Sequence, residues 1–113
     1  MAYNEQLAQR IREQLAELNN VDERKMFRGI TFMVDGKMCV CVSGQDLMCR
    51  VDPGLQDELL QKKGCRPVIM RGREYKGYVL VSGDAVNTSD QLAYWIGLSL
   101  DFNQYAKASK KRK

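Results

Sequence analysis

Histidine is missing from this 113-residue chain, and proline occurs only twice. Without an imidazole, every Ser-His-Asp or Cys-His nucleophile and every histidine-containing metal site is excluded. No apolar run approaches the ~18 to 20 residues that a membrane span requires. The opening Met1-Ala2-Tyr3-Asn4-Glu5 also lacks the basic-then-apolar pattern of a secretion signal, so a cytoplasmic location is expected. Internal repeats and dividing linkers are absent too. What remains, 44% hydrophobic and 28% charged residues, is the profile of one compact domain whose core needs neither metal nor disulfide staples.

Charge is distributed unevenly. Residues 1–106 hold thirteen Lys and Arg against fourteen Asp and Glu, whereas residues 107–113 hold five basic residues and no acid. The formal +4 therefore belongs to the carboxy-terminal end. We divide the chain into a domain over 1–106 and a basic, disordered tail over 107–113. Lys110, Lys111, Arg112 and Lys113 are its candidate contacts with phosphate.

Leu7, Ile11, Leu15 and Leu18 recur at helical spacing after a capping Asn4, which predicts an amphipathic helix ending near Asn19-Asn20. Asp35-Gly36 separates two apolar runs, 26–34 and 37–42, and predicts a hairpin with a type I′ turn. A two-residue loop pairs Val34 with Lys37 and Met33 with Met38, and by continuation Phe32 with Cys39 and Ile30 with Cys41. One face then carries Ile30, Phe32, Cys39 and Cys41, and the other Met33, Met38, Val40 and Val42. Both faces are apolar, so the outer one, Met33 and Met38 above all, is expected to meet further chain, a partner or a second copy in a homodimer.

Leu47 to Val51 reads as a third strand. Asp52-Pro53 then opens a short helix closed by Lys62, Lys63 and Gly64. Two more strands, Val68 to Met70 and Tyr75 to Ser82, are joined across Arg71-Gly72-Arg73. A last helix begins with the capping box Thr88 to Gln91 and buries Leu92, Trp95, Ile96 and Phe102, widened by Tyr94, Leu98 and Tyr105. The fold class is α+β: a single domain with an antiparallel sheet of about five strands, in the order αβββαββα.

Chemistry is thinly signalled. Cys39, Cys41, Cys49 and Cys65 lack zinc-knuckle spacing and read as buried small hydrophobes in a reducing compartment. Asp35, Asp46 and Asp52 fall at a turn, a loop and a cap, which explains each of them without catalysis. The densest constellation is cationic: Lys62, Lys63, Arg66, Arg71, Arg73 and Lys76 are opposed only by Glu74. Of these, Arg71, Arg73 and Lys76 are candidate anion or partner contacts. No catalytic residue, metal or cofactor is expected.

Lys25-Met26-Phe27-Arg28-Gly29-Ile30-Thr31-Phe32-Met33-Val34-Asp35-Gly36-Lys37-Met38-Cys39, with Asp46-Leu47-Met48-Cys49-Arg50-Val51 and Lys76-Gly77-Tyr78-Val79-Leu80-Val81, closely resembles the amino-terminal domain of the TfoX/Sxy family. The resemblance extends over about residues 3–103. It implies a bacterial regulatory domain of the competence type, a transcriptional coactivator working with the cyclic-AMP receptor protein through protein contacts. It transfers no catalytic residue. Where the family often has Met-Phe-Gly-Gly, this chain has Met26-Phe27-Arg28-Gly29, so Arg28 marks a changed surface and joins the candidate contacts. Two other functions compete: a weakly sequence-selective nucleic-acid module using the tail and the 62–76 stretch, and a small-molecule-binding domain or enzyme.

Overall fold

Asn4 starts the first helix as its composition requires: its Oδ1 accepts from the amides of Gln6 and Leu7 at 2.9 and 3.1 Å. The computed structural model describes residues 3–26 and 29–105, apart from the side chains of Met26 and Met70. Arg28 and the tail residues Lys110, Lys111, Arg112 and Lys113 lie outside the described residues. Helix α1 (Glu5–Gln14) buries Leu7, Ala8 and Ile11, and Leu15 follows them into the core. It stops a turn earlier than the apolar spacing suggests, which leaves Leu18 exposed.

Among the described residues the sheet has six strands: β1 (Val21–Met26), β2 (Gly29–Val34), β3 (Lys37–Ser43), β4 (Asp46–Arg50), β5 (Cys65–Met70) and β6 (Arg73–Val81). All neighbours are antiparallel, in the spatial order β1-β2-β3-β4-β6-β5. The expected class is thus present with one strand more than anticipated. β1 escaped the sequence pattern because Asp22, Glu23, Arg24 and Lys25 are exposed and show no apolar alternation. An edge strand dressed in charge resists pairing with other chains. Arg12 of α1 holds it through a two-pronged contact with Glu23, at 2.7 and 3.0 Å.

After β4 the chain makes a 3₁₀ turn, Pro53–Leu55, and a single helical turn, α2 (Gln56–Leu59). Asp52 caps it by accepting from the Gly54 amide at 2.9 Å. Helix α3 (Ser89–Asn103) opens with the expected capping box, Thr88 and Gln91 each bonding the other's backbone amide. Its buried residues are Leu92, Trp95, Ile96, Ser99 and Asn103. That stripe is narrower than predicted, because Tyr94 and Tyr105 stay exposed. The helix is tied down at both ends. Arg10 of α1 donates to the carbonyls of Val86, Asn87 and Thr88, and Asn103 Nδ2 donates to Val34 O at 3.2 Å. No helix among the described residues is long and apolar enough to cross a membrane.

The β2–β3 hairpin turns at Asp35 and Gly36, whose φ values of 55° and 77° are those of the predicted type I′ turn. Val34 pairs with Lys37 and Met33 with Met38 as expected, but the register then shifts by one: Phe32 opposes Val40, Thr31 opposes Cys41 and Ile30 opposes Val42. This β-bulge beside Cys39 re-aims the rest of β3. Cys39, Val40 and Val42 join Ile30, Phe32 and Val34 in the main core, under α1 and α3. Cys41 turns to the opposite face. The predicted positions of Val40, Val42 and Cys41 are therefore corrected, since a single extra residue inverts every side chain beyond it.

Met33 and Met38 occupy the outer face as predicted, but they are not exposed: 1% and 4% of their surface is accessible. They form a second core with Cys41, Met48 and Val68, against which Tyr78 and Leu80 pack. β4, β5 and β6 supply these neighbours, so the methionines are covered from within the chain. Their burial departs from the open apolar face expected of them.

Gly29 shows why β2 begins where it does. A Cβ at this position would lie 1.7 Å from the carbonyl oxygen of Val42, inside the β3 backbone. Only glycine permits this approach. Gly29→Ala should lower the unfolding free energy by about 2–3 kcal/mol, the scale of an overpacked core. Urea denaturation reads this directly, and a loss below roughly 0.5 kcal/mol, typical of a neutral surface change, would contradict it.

Candidate partner-contact surface

The β5–β6 hairpin closes on Arg71 and Gly72, with φ of 55° and 74°, and Met70 opposite Arg73. This is the same positive-φ turn that Asp35-Gly36 forms, with arginine in the position that asparagine or aspartate usually takes. Ile69 then opposes Glu74, but the next pair is Pro67 with Val79, so β6 carries Tyr75 to Tyr78 as a wide bulge against Val68 alone. Gly77 makes the bulge possible: its φ is 84°, and a Cβ there would sit 3.3 Å from Pro53 Cγ.

A buried glutamine holds this bulge. Gln56 of α2 accepts from the Gly77 amide through Oε1 and donates from Nε2 to Glu74 at 3.1 Å, while Gly77 O accepts from the Val51 amide at 2.8 Å. Glu74, the only acid of the basic stretch, is thereby drawn toward α2. At the rim of the second core, the Arg50 guanidinium lies 5.7 Å from the centroid of the Tyr78 ring. Tyr78 meets Tyr75 edge-on at 6.4 Å. Tyr75 is 37% exposed, and Arg71, Arg73 and Lys76 are exposed beside it.

The fold divides the six cations that sequence groups together. Arg71, Arg73 and Lys76 share the hairpin end. Arg66 is paired with Asp46 at 2.8 Å, and Lys62 lies over the ring of Tyr94 at 5.2 Å. Arg50, Tyr75 and Tyr78 are the members that sequence reasoning missed. Tyr75 and Tyr78 flank Lys76 in β6 itself, and the pairing of Arg50 with Tyr78 across β4 and β6, two strands distant in sequence, brings Arg50 to the site.

The aspartates hold the local roles expected of them. Asp35 lies in the turn and accepts from Asn20 Nδ2 at 2.8 Å, Asp46 accepts from the Gly83 amide at 3.2 Å, and Asp52 is a cap. No three Cys, Asp or Glu side chains among the described residues come together in a way that could hold a metal ion.

All four cysteines are free and buried. Loss of hydration pushes the Cys39 thiol up to about 12 and raises those of Cys41, Cys49 and Cys65 as well. The thiolate is the nucleophile, so these sulfurs are inert at neutral pH. A thiol reagent at pH 8 should leave all four unmodified in the native protein and titrate them after unfolding. Fast native labelling would contradict the burial. Because the folded state keeps protons that the unfolded chain releases above the ordinary thiol value of 9.0, the stability from these groups is intact below that pH and is lost as pH rises toward about 12. Urea midpoints measured across pH 8 to 10.5, on the order of the thiol range, should fall, and should fall less in Cys39→Ala.

The TfoX N-terminal domain family model matches residues 13–103. This span contains the whole sheet, α2 and α3. No curated protein and no solved structure gives a significant match. The chain belongs to the TfoX N-terminal domain family.

Proposed function

We propose that this chain is a noncatalytic regulatory domain of the cytoplasm that acts on transcription through protein contacts, in the manner of competence-type coactivators. Membership of the TfoX N-terminal domain family supports a regulatory role at the level of the family. The observation that carries the protein-contact reading is the hairpin end, where Arg71, Arg73 and Lys76 stand exposed beside Tyr75. The neighbouring acid, Glu74, is engaged by Gln56. Arginine and tyrosine are the side chains that protein interfaces favour, because they combine large contact area with directed polar groups. An acidic face on a transcription factor is the complementary partner, with the cyclic-AMP receptor protein the first candidate.

The test is anisotropy of the fluorescently labelled full chain, titrated with the cyclic-AMP receptor protein in the presence of cyclic AMP, with and without duplex DNA. We expect saturable binding that a triple charge reversal, Arg71→Glu with Arg73→Glu and Lys76→Glu, weakens by roughly tenfold or more, since like charges across an interface are costly. The variant should keep its melting temperature, because these residues are exposed. Absence of binding to the receptor protein, with or without DNA, would overturn that partner. Binding to DNA alone, with a log-log salt slope of about −4.5 from the five tail charges, would replace the reading with that of a nucleic-acid arm.

A further inference from the structure

A second surface lies past the end of α2. Lys62 and Lys63, just past the end of α2, face the first two turns of α3 across an open groove of about 500 Å³, lined also by Ala85, Asp90, Tyr94 and Trp95. Gly64 brings the two walls together: its carbonyl accepts from the Ser82 amide at 2.7 Å, and a Cβ there would press to 2.9 Å from that of Ala85. Trp95 forms the floor at 4% exposure, and Tyr94 stands over it edge-on at 5.2 Å while remaining 45% exposed. Lys62 Nζ caps the Tyr94 ring at 5.2 Å. A tyrosine with nearly half its surface in water, in edge contact with tryptophan and with an ammonium over its ring, is a preformed aromatic wall.

We infer that this groove binds an acidic segment of a partner protein, with one aromatic or aliphatic side chain seated against Tyr94 and Trp95 and flanking carboxylates on Lys62 and Lys63. The proposal rests on the protein-contact reading above and extends it to a second contact. Charge complementarity selects the occupant. Among the described residues that line the groove, two lysines face one acid, Asp90, and Gln91 is committed to the capping box through the Thr88 amide. An open, shallow site suits a peptide segment, because small molecules require enclosure of most of their surface. The aromatic wall supplies the anchor, and the lysines supply preference for acid over neutral sequence.

Trp95 is the only tryptophan in the chain, so its emission reports on the groove without a label. The probe is the peptide acetyl-Glu-Asp-Phe-Glu-Asp-Leu-amide, titrated into the full chain against the neutral control acetyl-Gln-Asn-Phe-Gln-Asn-Leu-amide. We expect a saturable change in Trp95 emission with the acidic peptide, at least about fivefold weaker for the control and for Lys62→Glu with Lys63→Glu, as loss of charged contacts implies. Tyr94→Ala should weaken it similarly, and Arg71→Glu with Arg73→Glu should leave it unchanged. No saturable response, an equal response to both peptides, or loss only in the hairpin variant would overturn the groove. The two readings fail separately. If receptor-protein binding is lost on hairpin reversal but fully kept in the Lys62, Lys63 variant, the groove is overturned while the hairpin contact stands.

Discussion

Strands β2, β3 and β4 are apolar on both sides, and a sheet with two apolar faces must be covered twice by one short chain. On the first side α1 and α3 provide the cover, bringing Leu7, Ile11, Leu92, Trp95 and Ile96 onto Phe32, Val40, Val42 and Leu47. On the second side no helix contributes to the cluster among the described residues. There Met33, Met38, Cys41, Met48 and Val68 pack on one another and against Tyr78 and Leu80. Methionine suits such a site, since its unbranched and polarizable side chain fills irregular gaps that a β-branched residue would leave empty. The bulge beside Cys39 makes the partition work by sending Val40 and Val42 to the helices and Cys41 to the methionines.

This double burial decides where contact chemistry can lie. With both sheet faces consumed, exposed aromatic and charged groups stand at the margins, among them the hairpin end, where β6 bulges, and the groove between the turn after α2 and α3. The short α2 and the turn that follows it reach one of these surfaces each. Gln56 of α2 fixes the bulge through Gly77 and Glu74, and the turn after α2 places Lys62 over Tyr94. A buried amide that bridges a backbone N–H and a carboxylate is costly to leave half-satisfied, so the Gln56 network also stiffens the surface it supports.

Legibility in the sequence followed the range of the interaction. The Leu7, Ile11 and Leu15 stripe of α1, the Asp52 cap, the Asp35-Gly36 turn and the Thr88 capping box were all readable, because each is settled by residues within about four positions of one another, whereas the second helix ends at Leu59, before the Lys62-Lys63 close expected of it. β1 was not readable, since its exposed Asp22, Glu23, Arg24 and Lys25 give no periodic signal and only pairing with β2 makes it a strand. Of the candidate site, Arg71, Arg73 and Lys76 were found as a run of charge. Arg50 was not, because β4 lies beside β6 only once the sheet is assembled, and Tyr75 and Tyr78 read as ordinary strand residues.

By itself the sequence determined the class, the caps, the turns and the exclusion of histidine-dependent chemistry. These follow from local backbone preference, short-range hydrogen bonds and side-chain chemistry. Tertiary structure alone decided that Met33 and Met38 are core rather than surface, that the hairpin register slips at Cys39, and that one run of cations is split between an ion pair, an aromatic cap and an open patch. The reason is physical. Whether an apolar or charged side chain is available depends on what distant strands place against it, and that neighbour is set by packing rather than by adjacency in the chain.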